Sequence, residues 1–292
     1  MRPGLMEVRD KQFGAFTAWQ ALCEYTRAEM RTRVDRGEWV RVFHGVYREV
    51  ATALSPQLRV EAARLSIGAQ SLTAAYQTAA ELHGFAVGES RGTHVLGAQR
   101  SRTSRLVVHS DRTEPEDLDL IKGTVTTNAV RTAVDVARTT DRLDTLATLD
   151  SALHLGISRD ALLAESERHR GRRGYLQAVE LIELADGRAE SPMESRTRLR
   201  CIDAGLPRPE PQVEVPTRGG LRRLDLGWPE WRIGLEYDSA AWHSGDAAAA
   251  RDDLRHNWLS AEGWTVYYVT ASDVYLRPEN FVEPIRCAMR GR

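Results

Sequence analysis

The sequence predicts a multidomain α+β chain ending in an α/β domain, a mixed sheet flanked by helices. Three observations predict it. Helix start and stop signals recur from residue 53 to 188; short β-branched runs cluster in 93–127; and alternating strands bearing carboxylates appear only after residue 188. The 292 residues, 42% hydrophobic and 28% charged, suffice for two or three domains. Three zones follow: 1–52, 53–187 and 188–292.

No run approaches the roughly 18 apolar residues of a membrane helix, and MRPGLMEVRDKQF lacks the apolar core of a signal peptide. A cytoplasmic protein without a membrane partner is expected. The three cysteines, Cys23, Cys201 and Cys287, are odd in number and far apart, which excludes a disulfide framework and a thiolate metal site. The net charge of -1 excludes a general polycation, so any nucleic-acid surface is local. Lys11 and Lys122 are the only lysines. Arginine's fork suits phosphate, although codon usage in a GC-rich genome gives the same bias.

In the first zone, Phe13, Phe16, Trp19, Gln20 and Cys23 form a helical apolar pattern. Thr26 to Glu29 reads as a capping box opening a second helix that Gly37 ends. WVRVFHGVYREV then reads as a two-strand wing. Two short helices and a basic hairpin make a minimal winged helix-turn-helix. Arg27, Arg31, Arg33, Arg41 and Arg48 are its candidate DNA contacts, with duplex DNA the expected partner and RNA the alternative. A small packing module with solvated arginines has the same pattern.

The middle zone is mainly helical with a small β insert. Ser55-Pro56 is an N-cap followed by an N1 proline, and Ser71 opens a helix ending at His83-Gly84. Segments 93–97, 105–110 and 118–127 read as strands, followed by four helical patterns between 130 and 186. A scaffold reading covers this zone and its lone histidines; the basic cluster Arg168, Arg170, Arg172 and Arg173 fits a phosphate-backbone contact or a solvated helix C-terminus equally well.

The third zone opens on Ser191-Pro192-Met193-Glu194, a capping box that accounts for Glu194 structurally. The next three segments fold on paper as an antiparallel meander. A turn at Trp228–Trp231 sets Asp225 opposite Gly234, with Glu236 its diagonal neighbour, and a TRGG turn sets Gln212 opposite Asp225. One face then carries Gln212, Asp225, Glu236 and Asp238, left open by Gly234. The other is apolar: Val213, Val215, Leu224, Leu226, Ile233, Leu235 and Tyr237. Carboxylates at this spacing can hold one Mg²⁺ or Mn²⁺ ion, which polarises a phosphate and activates water. A solvated acidic face has the same spacing. His243 has the chemistry of a proton carrier, and Asp252 and Arg255 open the following helix.

At these residues the sequence resembles a known pattern. The order of a helix glutamate, an Asp-bearing strand, a turn and an acidic strand end is that of the PD-(D/E)xK restriction-endonuclease-like fold. LDLGWPEWRIGLEYDSAAWH with the following D-x-x-R resembles the very-short-patch-repair branch over about 188–275. TRAEMRTRVDRGEWVRVFHGVYRE is similar to the winged helix of AbiEi-type antitoxins, and SLTAAYQTAAELHGF and RTAVDVAR fit the same bacterial multidomain proteins. The resemblance implies a Mg²⁺- or Mn²⁺-dependent DNA endonuclease. Asp225 is the implied central ligand and Glu236 the second; Glu194 completes the site, His243 assists proton transfer and Arg255 steadies a phosphate. Asp238 stands where the broad fold has lysine. A second reading is an antitoxin-like regulator with an inactive nuclease-like domain. A homodimer, or a toxin or defence partner, fits either one.

Overall fold

The computed structural model describes residues 1–88, 92–98, 105–238 and 257–291, and contacts divide the chain into two units, Met1–Val136 and Ala137–Arg292. The fold is mixed α+β, with three sheets among the described residues.

The first unit opens with α1 (Pro3–Lys11), β1 (Ala15–Thr17), α2 (Ala18–Leu22), α3 (Arg27–Asp35), β2 (Trp39–Phe43) and β3 (Val46–Glu49). The three strands make an antiparallel sheet in the order β1-β3-β2. The expected helix through Phe13–Cys23 is replaced by β1 and α2. Phe13 (φ 53°) and Gly14 (φ 99°) take left-handed backbone, which ends helical geometry. Thr17 and Gln20 then form a reciprocal capping box that restarts it. The expected capping box at Thr26 and Glu29 is present and opens α3. Leu5, Phe16, Tyr25 and Trp39 form the small core, with Met30 and Val34 of α3 packed against it.

The unit continues through α4 (Pro56–Ile67), capped by Ser55 as expected, and α5 (Tyr76–His83). The helix expected from Ser71 starts later, because Thr73–Ala74 form strand β4 in the middle of a sheet. With β5 (Thr93–Leu96), β6 (Leu106–His109), β7 (Leu118–Ile121) and β8 (Thr124–Thr127), its order is β6-β5-β4-β8-β7. The tight β7–β8 turn places Lys122 (φ 48°) and Gly123 (φ 81°) in left-handed backbone, the geometry of a two-residue hairpin. Then comes α6 (Ala129–Thr139).

The second unit contains α7 (Arg142–His154), α8 (Arg159–Glu167), α9 (Tyr175–Leu184) and α10 (Pro192–Asp203), followed by β9 (Glu210–Thr217), β10 (Gly220–Trp228), β11 (Ile233–Tyr237) and β12 (Thr265–Val269). The sheet order is β12-β11-β10-β9; β9–β10 and β10–β11 are antiparallel and β11–β12 parallel. Two helices, Ala271–Leu276 and Glu279–Arg290, follow. The sequence placed Val213, Val215 and Leu224 in one apolar face with Leu226, Ile233 and Leu235. They form two separate cores instead: the first three pack with Leu259 and Val266, the others with Cys201, Val274 and Phe281. Gln212 takes left-handed backbone (φ 57°), and the ladder between β9 and β10 skips the Gln212 and Asp225 positions. Across this kink Val213, Val215 and Leu224 lie on the face opposite Leu226. Gly234 therefore faces Leu224, whose Cδ1 would lie 2.7 Å from an added Cβ, and the face expected to be open is packed.

No helix among the described residues is long and apolar enough to cross a membrane.

Candidate functional site

The second unit brings together residues from four elements. Ser191 caps α10 through the Glu194 amide at 3.2 Å, as expected, but the Glu194 carboxylate makes a different contact from the one a capping box requires. Its Oε2 accepts from the Glu190 amide at 3.0 Å and from Gln212 Nε2 at 2.7 Å. Glu194 is thus drawn toward the kink between β9 and β10, where Asp225 lies. Burial pushes the Glu194 carboxyl above the usual carboxylate range; the Asp225 charge adds to that, against the hydrogen bonds from Glu190, Ser191 and Gln212.

Asp225 Oδ2 accepts from the Tyr237 amide at 2.9 Å, which ties the carboxylate to β11. The observed pairs Leu226↔Leu235 and Gly227↔Gly234 differ from the expected register by two residues. Continued one step, they set Glu236 directly opposite Asp225. The sequence put Gly234 there because it assumed a turn at Trp228–Trp231, whereas Trp228 pairs with Ile233 and the turn is Pro229–Arg232, with Arg232 in left-handed backbone (φ 49°). Glu236 is buried. Gln212 lies across from Asp225, as expected, between the pairs Leu224↔Val213 and Leu226↔Pro211. Asp238, half-buried, follows β11, its amide donating to Val269 at 2.8 Å. His243, Asp252 and Arg255 lie outside the described residues. Among the described residues, no group of three or more His, Cys, Asp or Glu side chains is arranged to hold a metal ion.

The helix that carries Glu194 is held by arginines whose roles sequence reasoning missed. Arg196 bonds Asp144 at 2.7 and 3.0 Å, Arg200 bonds the Val274 carbonyl at 2.8 Å, and Arg198, wholly buried, donates through Nη2 to both oxygens of Asp150 at 2.6 and 2.8 Å. The signal was the run of three arginines at alternate positions inside a helix, which cannot all face water.

In the first unit, the five arginines proposed for DNA divide into two groups. Arg27 and Arg31, one turn apart on α3, and Arg41 on β2 are exposed. Arg33 pairs with Glu38 at 2.7 Å and stacks over Tyr25 and Trp39. Arg48 donates to the carbonyls of Glu49, Val50 and Thr52. The Arg168–Arg173 cluster of the second unit is engaged likewise in part, with Arg168 on Glu165 and Arg170 on Glu167. His83 and His154 bond backbone carbonyls, as a structural role requires.

Comparison with known proteins places the chain. Two uncharacterised proteins of Mycobacterium tuberculosis, one from the Oshkosh strain and one from a second strain, are each 39% identical to it over 259 residues, covering 87% of this chain and 93% of theirs. The chain belongs to their family. A family model of the AbiEi antitoxin C-terminal domain matches residues 72–184. The antitoxin-like resemblance is therefore supported, and its matched stretch is the middle of the chain, not the N-terminal segment that chiefly carried the resemblance in sequence.

Proposed function

We propose that this chain is an antitoxin-like protein that binds duplex DNA through a winged helix formed by residues 1–52. The observation that carries this reading is α3. It has no buried residue, it docks on the small core through Met30 and Val34, and it turns Arg27 and Arg31 outward. Such a helix suits the major groove, with the β2–β3 hairpin and Arg41 beside the phosphates. The element order helix, strand, two helices and hairpin supports the same module, and the antitoxin family match over 72–184 supports the class. Fluorescence anisotropy with duplex DNA tests it. Nanomolar to micromolar, salt-sensitive binding that Arg27→Ala and Arg31→Ala weaken is the expected result; binding unchanged in both variants overturns it.

One arrangement favours an added activity, metal-dependent phosphodiester hydrolysis in the C-terminal unit. Glu194 and Asp225 converge, the Asp225 charge raising the Glu194 carboxyl, and Glu236 stands opposite Asp225. Two like charges brought together in a part-buried place are a setting that a divalent cation would relieve. Mg²⁺ or Mn²⁺ between Glu194 and Asp225, with Glu236 alongside, would supply Lewis acidity toward the phosphate and a more acidic water. Gln212 holds Glu194 in place and the Tyr237 amide holds Asp225. His243 is the proposed proton carrier and Arg255 the proposed phosphate contact. Incubation with plasmid, duplex, single strands and RNA in Mg²⁺, Mn²⁺ or EDTA tests this. Metal-dependent cleavage lost in Asp225→Ala supports the nuclease; shifted duplex without cleavage leaves the regulator alone.

A further inference from the structure

The first unit contains a concavity that shares Arg41 and the β2–β3 hairpin with the DNA-binding reading but reaches beyond them to α4 and the second sheet. It has a volume of about 370 Å³ and lies between the β2–β3 hairpin, α4 and the edge of the second sheet at Gly92–Thr93 and Arg105. Four arginines line it: Arg41, Arg48, Arg59 and Arg105. The described lining residues include no Asp or Glu. Val42, Phe43 and Leu54 form an apolar wall beside the cations.

Arg59 is the decisive residue. It projects from α4, its side chain only 13% exposed, and one arm pairs with Glu81 of α5. Its Nε is buried and has no hydrogen-bond partner among the described residues. A buried donor normally finds an acceptor, because leaving it without one is costly. Arg48 is held by three carbonyls, and among the described residues Arg41 bonds the Phe43 carbonyl, at 3.3 Å. Fixed arginines around a concavity are the usual means of grasping phosphate by charge-assisted, bidentate bonds. The volume is at the low end of small-ligand pockets, and the wall provides an apolar surface for a flat ring.

We propose that this pocket binds a nucleoside monophosphate, its phosphate toward Arg59 and Arg105 and its base against Phe43 and Leu54. The proposal is independent of the function assigned to α3. A DNA backbone phosphate offers the same group, but it needs only exposed cations and leaves the apolar wall without a role. Because the pocket is lined by both strands of the hairpin, bound ligand would fix the hairpin against α4.

The test is isothermal titration of the full chain with AMP, GMP, CMP and UMP, with inorganic phosphate and adenosine as controls. At least one monophosphate is expected to bind saturably, more tightly than either control and less tightly as salt is raised. Arg59→Gln and the exposed rim variant Arg105→Gln should each weaken binding about tenfold or more, the loss expected of a charge-assisted bond to phosphate. Glu81→Gln keeps Arg59 and should bind at least as tightly, which separates loss of the site from loss of the fold. No binding by any monophosphate at millimolar concentration, or equal binding by wild type and both arginine variants, overturns the proposal. So does a third outcome: no mononucleotide binding while Arg59→Gln weakens duplex binding as Arg27→Ala does, which would assign the pocket to DNA.

Discussion

Replacing Arg198 tests how the helix that carries Glu194 is held. Arg198 is fully buried, donates to both oxygens of Asp150 at 2.6 and 2.8 Å, and reaches the Leu184 carbonyl at 2.7 Å. Asp150 also accepts from the Asp186 amide at 2.7 Å. One buried pair thus links α7, α10 and the segment between α9 and α10. Arg198→Met leaves the Asp150 carboxylate in the interior with its cation removed. Breaking a buried pair in this way costs about 3–5 kcal/mol; two charge-assisted bonds at about 1.5–3 kcal/mol each give about 3–6 kcal/mol, an overlapping range. At about 2–4 °C per kcal/mol for a domain of this size, Tm falls by about 6–20 °C. The double variant Arg198→Met with Asp150→Leu removes both charges and should cost much less, with the missing bond to the Leu184 carbonyl contributing about 1 kcal/mol. Arg188→Ala is the control: its pair with Asp186 is 58% exposed on the arginine side and should change stability by less than about 1 kcal/mol. Urea unfolding followed by the fluorescence of buried Trp228 reads all three, with hydrogen exchange of the α10 amides alongside. A single variant costing less than about 1 kcal/mol, or a double no better than the single, would refute the view that this pair anchors α10.

Three further outcomes are expected. Arg27→Ala combined with Arg31→Ala should reduce the slope of log affinity against log salt by about 2, roughly 0.9 for each phosphate that is no longer neutralised; an unchanged slope removes both from the interface. Asp225→Asn should lower the Glu194 pKa by removing a like charge and abolish Mn²⁺ binding measured by calorimetry; a Mn²⁺ isotherm equal to that of wild type would remove Asp225 from the metal site. His94, whose Nδ1 lies 3.0 Å from His109 Nε2, is lowered from 6.5 to about 4 by burial first, then by His109 and Arg59. The unfolded chain therefore binds the proton more tightly than the folded one, so the stability contribution is full above 6.5 and is lost as pH falls toward 4. The unscreened loss is about 3 kcal/mol, and about 2 after allowance for the part-exposed ring. His94→Asn should flatten the stability profile between pH 6.5 and 4, and a profile identical to wild type would contradict the assignment.

The parts of the fold legible in the sequence were those set by local chemistry. Thr26 with Glu29, Ser55 with Pro56 and Ser191 with Pro192 fix helix starts through bonds between near neighbours, and each lies where the side chains place it. The parts that were not legible depend on distant residues. Gln212 in left-handed backbone is unmarked by glycine or asparagine, yet it turns Val213, Val215 and Leu224 away from Leu226 and divides one expected core into two. The same kink decides the site. A glutamate with a complete local explanation as a capping residue is drawn instead toward the strand aspartate, held by Gln212, which crosses from the kink to Glu194. The arginines show the converse: composition offers them all as phosphate contacts, while near neighbours hold Arg33 and Arg48, a distant carboxylate holds Arg198, and Arg27, Arg31 and Arg41 stay exposed. An arginine's availability for a ligand is therefore set by the acceptors the fold brings to it. By that measure Arg59, half-buried, with one arm on Glu81 and its Nε without a partner among the described residues, is a candidate for a bound anion that exposure alone would not have picked out.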